Sequence, residues 1–304
     1  MPGRYPTPTP EDLDETARLL SSIAEPVLID GLAYGAFPDP LIDLLQQPPI
    51  ALCHHPLGME TGLDAYQAAI LIRDEARALA RAAHIIVTSP ETKRTLVADM
   101  GQDEARITVA PPGLDKVEPR DDLRGGVPTI LTVASLTPRK GHDTLIAALA
   151  QLKDQAWEAV WVGPLDRDPP HTELLKLKIA EAGLAHRIRL TGPQSAEDLE
   201  DSYAAADIFC LPSRYEGYGM VFAEAMMRAL PIVACNTGAV AELVPPRAGL
   251  LTPADDPDAL AEALSDLLSD APIRAAMGAA GRAEALAIGD WDATWAIAKT
   301  VLTA

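Results

Sequence analysis

Short apolar runs alternate along the chain with longer segments whose apolar residues recur at helical spacing. Runs of this length, rich in Val, Ile and Leu, are typical of strands buried on both faces of a parallel sheet. The expected strands are Pro26–Asp30, Ile50–His54, His84–Thr88, Ile107–Ala110, Thr129–Ala134, Ala159–Val162, Ile188–Thr191, Ile208–Leu211, Ile232–Ala234 and Gly249–Leu251. The expected helices are Glu11–Ile23, Pro40–Gln46, Asp64–Ala82, Glu91–Met100, Thr144–Leu152, Glu173–Ala182, Ala196–Ala205, one opening near Gly219, Ala239–Leu243, Pro257–Leu268 and Asp290–Leu302. The order predicts an α/β fold built from parallel βαβ units.

The alternation is interrupted once, by the polar stretch 116–127 with its Gly125–Gly126 pair, which is the best linker candidate. A chain of 304 residues has room for two domains of about 150 residues each. We therefore expect two Rossmann-like domains facing each other across a cleft, over residues 1–115 and 128–288, and a terminal helix within 289–304 that returns toward the first domain. In such sheets ligands bind beyond the carboxyl ends of the strands.

Composition and charge exclude several classes of partner and location for the protein. Lys plus Arg number 25 and Asp plus Glu 44, a net charge of −19, so the surface repels nucleic acid and anionic lipid heads. No apolar run approaches the ~20 residues of a membrane span, and the first ten residues lack a secretory apolar region. The three cysteines (Cys53, Cys210 and Cys235) lie in apolar segments, which favours buried, reduced thiols. These features predict a cytoplasmic protein without an integral membrane segment.

Two loops carry most of the candidate chemistry. The segment after the Ile208–Leu211 strand reads PSRYEGYGMVFAEAMMR and places Glu216 and Glu224 eight residues apart around closely spaced glycines. Glycines allow close backbone approach, and the N–H groups at a helix start attract anions. The loop after Thr129–Ala134 carries Arg139 and Lys140, followed by Gly141 and a helix start with Asp143 or Thr144 as the cap. Adjacent cations in a strand-end loop of an acidic chain suggest a phosphate site.

Together these residues resemble the retaining nucleotide-sugar glycosyltransferases of family 4, which have the two-domain GT-B fold. Glu216 and Glu224 match that family's E-x7-E motif, and Pro138–Gly141 resembles its P-x-K-G turn. The likeness is strong over about residues 130–268 and weaker over 27–113.

The resemblance implies a donor site in the second domain. Lys140 is expected to bind the donor diphosphate, Glu216 the hydroxyls of the donor sugar and Glu224 the ribose hydroxyls. Gly192 and the residues after it would lie near the base edge. Backbone N–H groups that would hold phosphate and sugar oxygens belong to Gly217, Tyr218, Gly219, Met220 and Val221.

This chain departs from the family pattern at two places. Where members usually carry Arg, five residues before the site Lys, it has Ser135, and we expect Arg139 to supply the missing cation. Members also normally open with a strand, a Gly-rich loop and a helix that line the acceptor pocket, whereas the first credible strand here resembles a later one. We therefore expect a first domain that is either naturally reduced or truncated at its N-terminus, with a sheet edge that is exposed or covered by a second copy or a partner chain.

In the first domain, the resemblance implies a His near the donor sugar at a strand end. His54 is favoured because it directly ends its strand, and His55 is the alternative. An imidazole there can bind a sugar hydroxyl when neutral or offset leaving-group charge when protonated. In the terminal helix Trp291 and Trp295 are expected to be core anchors.

The resemblance thus implies a retaining, metal-independent glycosyltransferase that needs no cofactor and binds no nucleic acid. Its donor would be a UDP-, GDP- or ADP-sugar and its acceptor a saccharide or small molecule. Two alternatives remain: a donor-binding module that is inactive or depends on a partner, and a nucleotide-sugar epimerase of the same architecture. An NAD-dependent dehydrogenase is disfavoured because no G-x-G-x-x-G motif follows the first strand.

Overall fold

A computed structural model describes residues 5–60, 62–118 and 126–302 of the chain. The fold divides into two units, one made of Met1–Gly113 with Trp291–Ala304 and the other of Leu114–Asp290. Residues 119–125, most of the predicted linker 116–127, lie outside the described residues. The terminal helix thus belongs to the first unit although it follows the second along the chain.

The first unit is built on a parallel sheet whose four strands lie in chain order. The strands are β1 (Leu28–Asp30), β2 (Ile50–Cys53), β3 (His84–Val87) and β4 (Ile107–Val109). The helices are α1 (Pro10–Leu20), α2 (Gly31–Tyr34), α3 (Asp39–Ile42), α4 (Ala65–Ala80), α5 (Pro90–Ala98) and α13 (Trp291–Leu302), with 3₁₀ turns at Leu57–Met59 and Glu104–Arg106. The strand order does not reverse within this sheet, so it has no switch point of the Rossmann kind.

The two faces of the first sheet are covered differently. Because successive strand residues point to opposite faces, Ala51 and Cys53 join the larger core while Ile50 joins a small cluster on the other face. Residues from the last turns of α13 pack on that cluster: Ala298, Val301 and Leu302. Trp291 and Trp295 stay 49% and 57% exposed, so their prediction as core anchors is wrong. The reason is that only the later turns of α13 reach apolar partners.

The second unit is a parallel sheet of six strands in the order β10-β9-β8-β5-β6-β7. The strands are β5 (Thr129–Val133), β6 (Glu158–Val162), β7 (Ile188–Gly192), β8 (Ile208–Leu211), β9 (Ile232–Cys235) and β10 (Gly249–Thr252). The helices are α6 (His142–Gln151), α7 (Pro169–Glu181), α8 (Ala196–Ala205), α9 (Met220–Met227), α10 (Val240–Leu243), α11 (Pro257–Ser269) and α12 (Ala271–Ala285), with a 3₁₀ turn at Pro138–Lys140. The strand order reverses between β8 and β5, which places a switch point there. The predicted α/β class with parallel sheets is confirmed.

Two helices at this switch point begin without a side-chain cap. The residue before α6 is Gly141, with φ 66°, and the residue before α9 is Gly219, with φ 91°. These are left-handed conformations that glycine adopts without steric cost. Asp143 and Thr144 are therefore not the cap of α6, contrary to the prediction, because the helix already begins at His142.

The sequence pattern missed α12 altogether. Asp270 caps this helix by accepting a hydrogen bond of 2.9 Å from the Ile273 N–H. Gly278, which lowers helix propensity, lies where α12 crosses the segment after α9: a Cβ there would be 2.0 Å from the Ala229 carbonyl oxygen. The glycine that weakens the sequence signal is thus required for packing. The short helix α2 was also not predicted.

Candidate functional site

The loops that follow β5 and β8 meet at the switch point of the second sheet. Nζ of Lys140 lies 2.6 Å from Oε1 of Glu216, and Nη1 of Arg139 lies 3.4 Å from Oε2 of the same carboxylate. Arg139 Nη1 also donates to the Tyr215 carbonyl oxygen at 2.9 Å, and the Ser213 hydroxyl donates to Glu216 Oε1 at 2.7 Å. The structure therefore brings together three of the predicted site residues.

Glu216 is a buried carboxylate held in its charged form. Its side chain is only 8% exposed, and the Lys140 side chain is 13% exposed. Burial raises the pKa of Glu216, but Lys140 and Arg139, with the Lys140 and Ser213 hydrogen bonds, outweigh it, so the pKa is lowered overall. Arg139 and Lys140 share one carboxylate here, in an otherwise acidic protein. Their charged donor groups suit a phosphate group.

Arg214 holds the 3₁₀ turn that carries Arg139 and Lys140. Its backbone N–H donates to the Arg139 carbonyl oxygen at 2.8 Å, and its guanidinium donates to the Pro138 carbonyl oxygen. The guanidinium also binds both oxygens of Asp143 at 3.1 and 3.0 Å and Asp255 Oδ1 at 2.8 Å. Arg214 was not among the predicted site residues. Its place in the strand-end loop next to Glu216 is the signal that could have found it.

Two glycines allow the loops to approach this closely. A Cβ at Gly141 would lie 2.0 Å from the Pro212 carbonyl oxygen, and one at Gly238 would lie 2.2 Å from the Glu216 carbonyl oxygen. Both residues have positive φ, 66° and 53°. Ala239 donates its N–H to the Glu216 carbonyl oxygen at 3.0 Å, so the loop after β9 supports Glu216 from its backbone.

The predicted N–H group donors form the turn into α9. Gly219 is the residue before the helix, and Met220 and Val221 are its first two residues. Burial raises the pKa of Tyr218, which keeps its phenol protonated. The residue before α9 is a glycine, which has no side chain to accept hydrogen bonds from the first N–H groups of the helix.

Glu224, the fifth residue of α9, is directed toward α8 and not into the Lys140 cluster. The Tyr203 hydroxyl donates to Glu224 Oε2 at 2.9 Å, and Arg228 stacks on the Tyr203 ring at 4.4 Å from its centroid. Burial and the neighbouring Glu224 carboxylate raise the pKa of Tyr203 well above its usual value, so the phenol stays a donor. Glu224 itself is half-buried.

Ser135 lies just after the carboxyl end of β5 and Gly192 at the carboxyl end of β7, with β6 between these two strands. Gly192 is the last residue of β7, with φ 75°, and its carbonyl oxygen accepts the Gly163 N–H at 3.1 Å. A Cβ at Gly163 would lie 3.2 Å from the Ser135 N and 2.1 Å from the Ala134 carbonyl oxygen. Both predicted residues are thus at the expected edge of the sheet.

The candidate histidines lie at the corresponding edge of the first sheet. His54 Nε2 is 3.0 Å from Asp30 Oδ2, and the His54 carbonyl oxygen accepts a hydrogen bond from Thr88 Oγ1 at 3.1 Å. His55 Nε2 is 3.5 Å from Glu60 Oε2. Asp30 was missed by the sequence analysis, although a carboxylate that ends the strand beside the His54 strand is a readable signal. It can fix the orientation of the His54 ring.

Other kinds of site find no support in what the structure describes. The described ranges hold no group of three or more His, Cys, Asp or Glu side chains arranged to bind a metal ion. Among the same residues, no helix combines the length and apolar character that crossing a membrane requires. The three cysteines are free and buried, as predicted.

Comparison with known proteins gives two family matches. Residues 116–284 match the family described as glycosyl transferases group 1, and residues 26–118 match Glycosyltransferase Family 4. A GDP-mannose-dependent alpha-(1-6)-phosphatidylinositol monomannoside mannosyltransferase of Mycobacterium tuberculosis is 33% identical over 207 residues, covering 62% of this chain and 53% of that protein. A D-inositol 3-phosphate glycosyltransferase of Kineococcus radiotolerans is 30% identical over 258 residues, covering 76% and 59%. The chain thus spans about half the length of the curated relatives it matches.

Solved structures agree on the fold. Sucrose-phosphate synthase from Thermosynechococcus elongatus superposes with a TM-score of 0.83 at 25% identity, covering 97% of this chain and 79% of that one. HepE of Anabaena, crystallised with UDP and glucose, superposes with a TM-score of 0.79 at 22% identity, covering 96% and 81%. These neighbours confirm the predicted GT-B fold. With more than half of its residues inside the first family match, the chain belongs to the glycosyl transferases group 1 family.

Proposed function

We propose that the protein is a retaining glycosyltransferase that moves a sugar from a nucleoside-diphosphate sugar to an acceptor hydroxyl. The observation that carries the proposal is the Lys140–Glu216–Arg139 cluster at the switch point, where the carboxyl ends of β5 and β8 meet. It combines cations for a diphosphate with a carboxylate for sugar hydroxyls. Family membership supports the same activity.

The chemical task is to stabilise a departing diphosphate and a sugar with oxocarbenium character. Lys140 and Arg139 supply fixed positive charge, and the uncapped start of α9 adds N–H donors and the positive end of a helix dipole. Because Ser135 stands where the family pattern has Arg, Arg139 takes a larger share of the phosphate charge in this chain. These groups stabilise the leaving group without a divalent metal ion.

The carboxylates bind the two ends of the donor. Glu216 exchanges its Lys140 contact for hydroxyls of the donor sugar, and Lys140 turns to the diphosphate. Glu224, oriented by the Tyr203 hydroxyl, binds the ribose hydroxyls. Gly192 contacts the base, and the family resemblance assigns the contact with the donor sugar to either His54 or His55.

The names of the relatives suggest ligands to try first. The mycobacterial relative is named for GDP-mannose and phosphatidylinositol monomannoside, and the Kineococcus relative for D-inositol 3-phosphate. HepE was crystallised with UDP and glucose. We therefore propose a UDP- or GDP-sugar as donor before an ADP-sugar, with an inositol phosphate among the acceptors to test.

A thermal-shift panel of UDP, GDP, ADP and their common sugars, with NAD as control, tests the donor. A nucleotide at 100 times its dissociation constant stabilises the folded state by about 2.7 kcal/mol. We expect a shift for one diphosphate and its sugar, and a product detected by mass spectrometry whose anomeric configuration, determined by ¹H NMR, matches that of the donor. Folded protein that responds to no nucleotide contradicts the donor site, and an inverted product contradicts retention.

A further inference from the structure

The buried carboxylate of Glu75, in the middle of α4, has no role in the proposed chemistry. Its side chain is 0% exposed. Oε2 accepts the Leu57 N–H at 2.7 Å, and Oε1 lies 3.8 Å from the Cys53 Sγ, within reach of the thiol hydrogen. Burial raises the pKa of Cys53 well above its usual value, so the thiol keeps the hydrogen that it donates.

The two donors to Glu75 lie on either side of the segment that carries both candidate histidines. Cys53 ends β2, and Leu57 begins the 3₁₀ turn Leu57–Met59. Between them are only His54, His55 and Pro56. One carboxylate therefore binds both ends of a three-residue turn and limits where the two imidazoles can be.

Close packing holds this turn against α4. A Cβ at Gly58 would lie 2.4 Å from Ile72 Cγ1 and 2.7 Å from the Ala68 carbonyl oxygen, both on α4. A Cβ at Gly35 would lie 2.9 Å from Glu75 Cγ and 3.0 Å from Leu57 Cδ1. Two glycines thus allow the turn, α4 and the end of α2 to approach within contact distance.

Burying the Glu75 carboxylate has a desolvation free-energy cost that is high for a purely structural contact. Among the described residues no cation contacts Glu75, and the titratable group that faces it is the Cys53 thiol. Burial raises the Glu75 pKa to about 7, against the lowering effect of the Leu57 and Cys53 hydrogen bonds. An apolar side chain would fill the same space without this desolvation cost, but it would leave the Leu57 N–H buried and unpaired.

We propose that Glu75 is a positioning residue, which fixes the His54–His55–Pro56 turn by binding Cys53 on one side and Leu57 on the other. The effect on catalysis rests on the proposed function, in which one of these imidazoles contacts the donor sugar. The effect on the turn does not depend on that function.

Four variants of the full chain test the proposal. Glu75→Leu removes the acceptor, and Glu75→Gln keeps an oxygen for the Leu57 N–H. Gly58→Ala leaves Glu75 intact but pushes the turn away from α4. Gln102→Leu is the matched control, because Gln102 is buried at 6% exposure and its amide donates to the Ala76 and Met100 carbonyl oxygens, neither of which belongs to the turn.

The first measurement is the ¹⁵N–¹H spectrum of the imidazoles, in which the His54 signal is assigned by its loss in His54→Gln. We expect Glu75→Leu and Gly58→Ala to shift the His54 signal, which reports its contact with Asp30, and Glu75→Gln and Gln102→Leu to leave it in place. If Glu75→Leu does not fold, the test rests on comparing the His54 signal of Gly58→Ala with that of Glu75→Gln. An unchanged His54 signal in a folded Glu75→Leu or Gly58→Ala protein overturns the proposal.

Turnover of GDP-mannose and of UDP-glucose is the second measurement. For the donor that is consumed, we expect Glu75→Leu to lower kcat roughly 10- to 100-fold with little change in donor KM, because the proposed nucleotide contacts are in the second unit. Equal losses in Glu75→Leu and Gln102→Leu would overturn the catalytic part of the proposal. A shifted His54 signal in protein that consumes neither donor would overturn the proposed function and leave the positioning role standing.

Discussion

The Arg214 guanidinium binds both oxygens of Asp143, at 3.1 and 3.0 Å, while its own backbone N–H donates to the Arg139 carbonyl oxygen at 2.8 Å. One residue of the loop after β8 thereby fixes the turn after β5. The position of the charges in the proposed phosphate site therefore depends on this link between the two loops as well as on Lys140 itself.

Replacing Arg214 should therefore weaken donor binding without removing a phosphate ligand. We expect Arg214→Met to lower the affinity for the nucleoside diphosphate about tenfold, because the Arg139–Lys140 turn loses its support. Isothermal titration calorimetry measures the affinity. The control is Arg187→Met, since Arg187 binds three backbone carbonyl oxygens and stacks 3.6 Å from the Trp157 ring centroid at the opposite end of the sheet. Equal affinity losses in both variants would contradict the positioning role.

Lys140→Ala should reduce the affinity for the diphosphate part of the ligand only. Loss of a charge-assisted contact of about 1.5–3 kcal/mol corresponds to roughly 10- to 100-fold weaker binding. The same variant should bind the matching nucleoside, without phosphates, as the unmodified protein does. Lys176→Ala, which removes an exposed lysine paired with Glu173, controls for net charge. A similar loss for nucleoside and diphosphate would rule out the assigned contact.

The role assigned to Glu224 can be tested by changing the ligand and the protein together. Glu224→Gln should weaken binding of the ribonucleotide but leave binding of its 2′,3′-dideoxy analogue unchanged, since the analogue has no ribose hydroxyls to lose. Tyr203→Phe should show a smaller loss of the same kind, because its hydroxyl orients the carboxylate from 2.9 Å. If Glu224→Gln and the removal of the ribose hydroxyls lower the binding free energy additively, Glu224 does not contact the ribose.

Stability should fall with rising pH on account of Glu75. Its pKa is raised from 4.5 to about 7 in the folded protein, so the folded state is favoured by protonation. The stabilisation is fully present below pH 4.5 and is lost as the pH rises through about 7, a change of about 3 kcal/mol at most. Urea unfolding at pH 5.5 and 8 should show a smaller pH dependence for Glu75→Gln than for the unmodified protein. Identical pH dependence would mean that Glu75 titrates as an exposed carboxylate.

The strands and the turn that carries Arg139 and Lys140 were predictable because each has a local signal. Buried parallel strands are apolar runs, and Arg139 with Lys140 is a pair of cations beside a glycine. Ser195 and Asp256 likewise cap the helices predicted to begin at Ala196 and Pro257. Asp168, in contrast, caps a helix that begins four residues before its predicted start at Glu173.

What could not be predicted depends on contacts between distant segments. The burial of Glu216 follows from its pairing with Lys140, and the role of Glu75 follows from the packing of α4 on the turn after β2. Gly278 weakens the helical pattern of α12 but is needed where that helix crosses Ala229. Trp291 and Trp295 have the spacing of buried residues, yet their exposure depends on which turns of α13 reach a partner. The domain boundaries and the roles of individual site residues stay predictions.

The position of β8 beside β5 determines when, during folding, the Lys140–Glu216 cluster can form. Two other strands, β6 and β7, are made between them along the chain, and Lys140 and Glu216 are 76 residues apart. A loop of this length must close before the two residues can meet, and such closure delays folding. Formation of the Lys140–Glu216 ion pair is therefore a late step of refolding that follows helix formation, and a growing chain can form the pair only after β8 has been synthesised and has paired with β5.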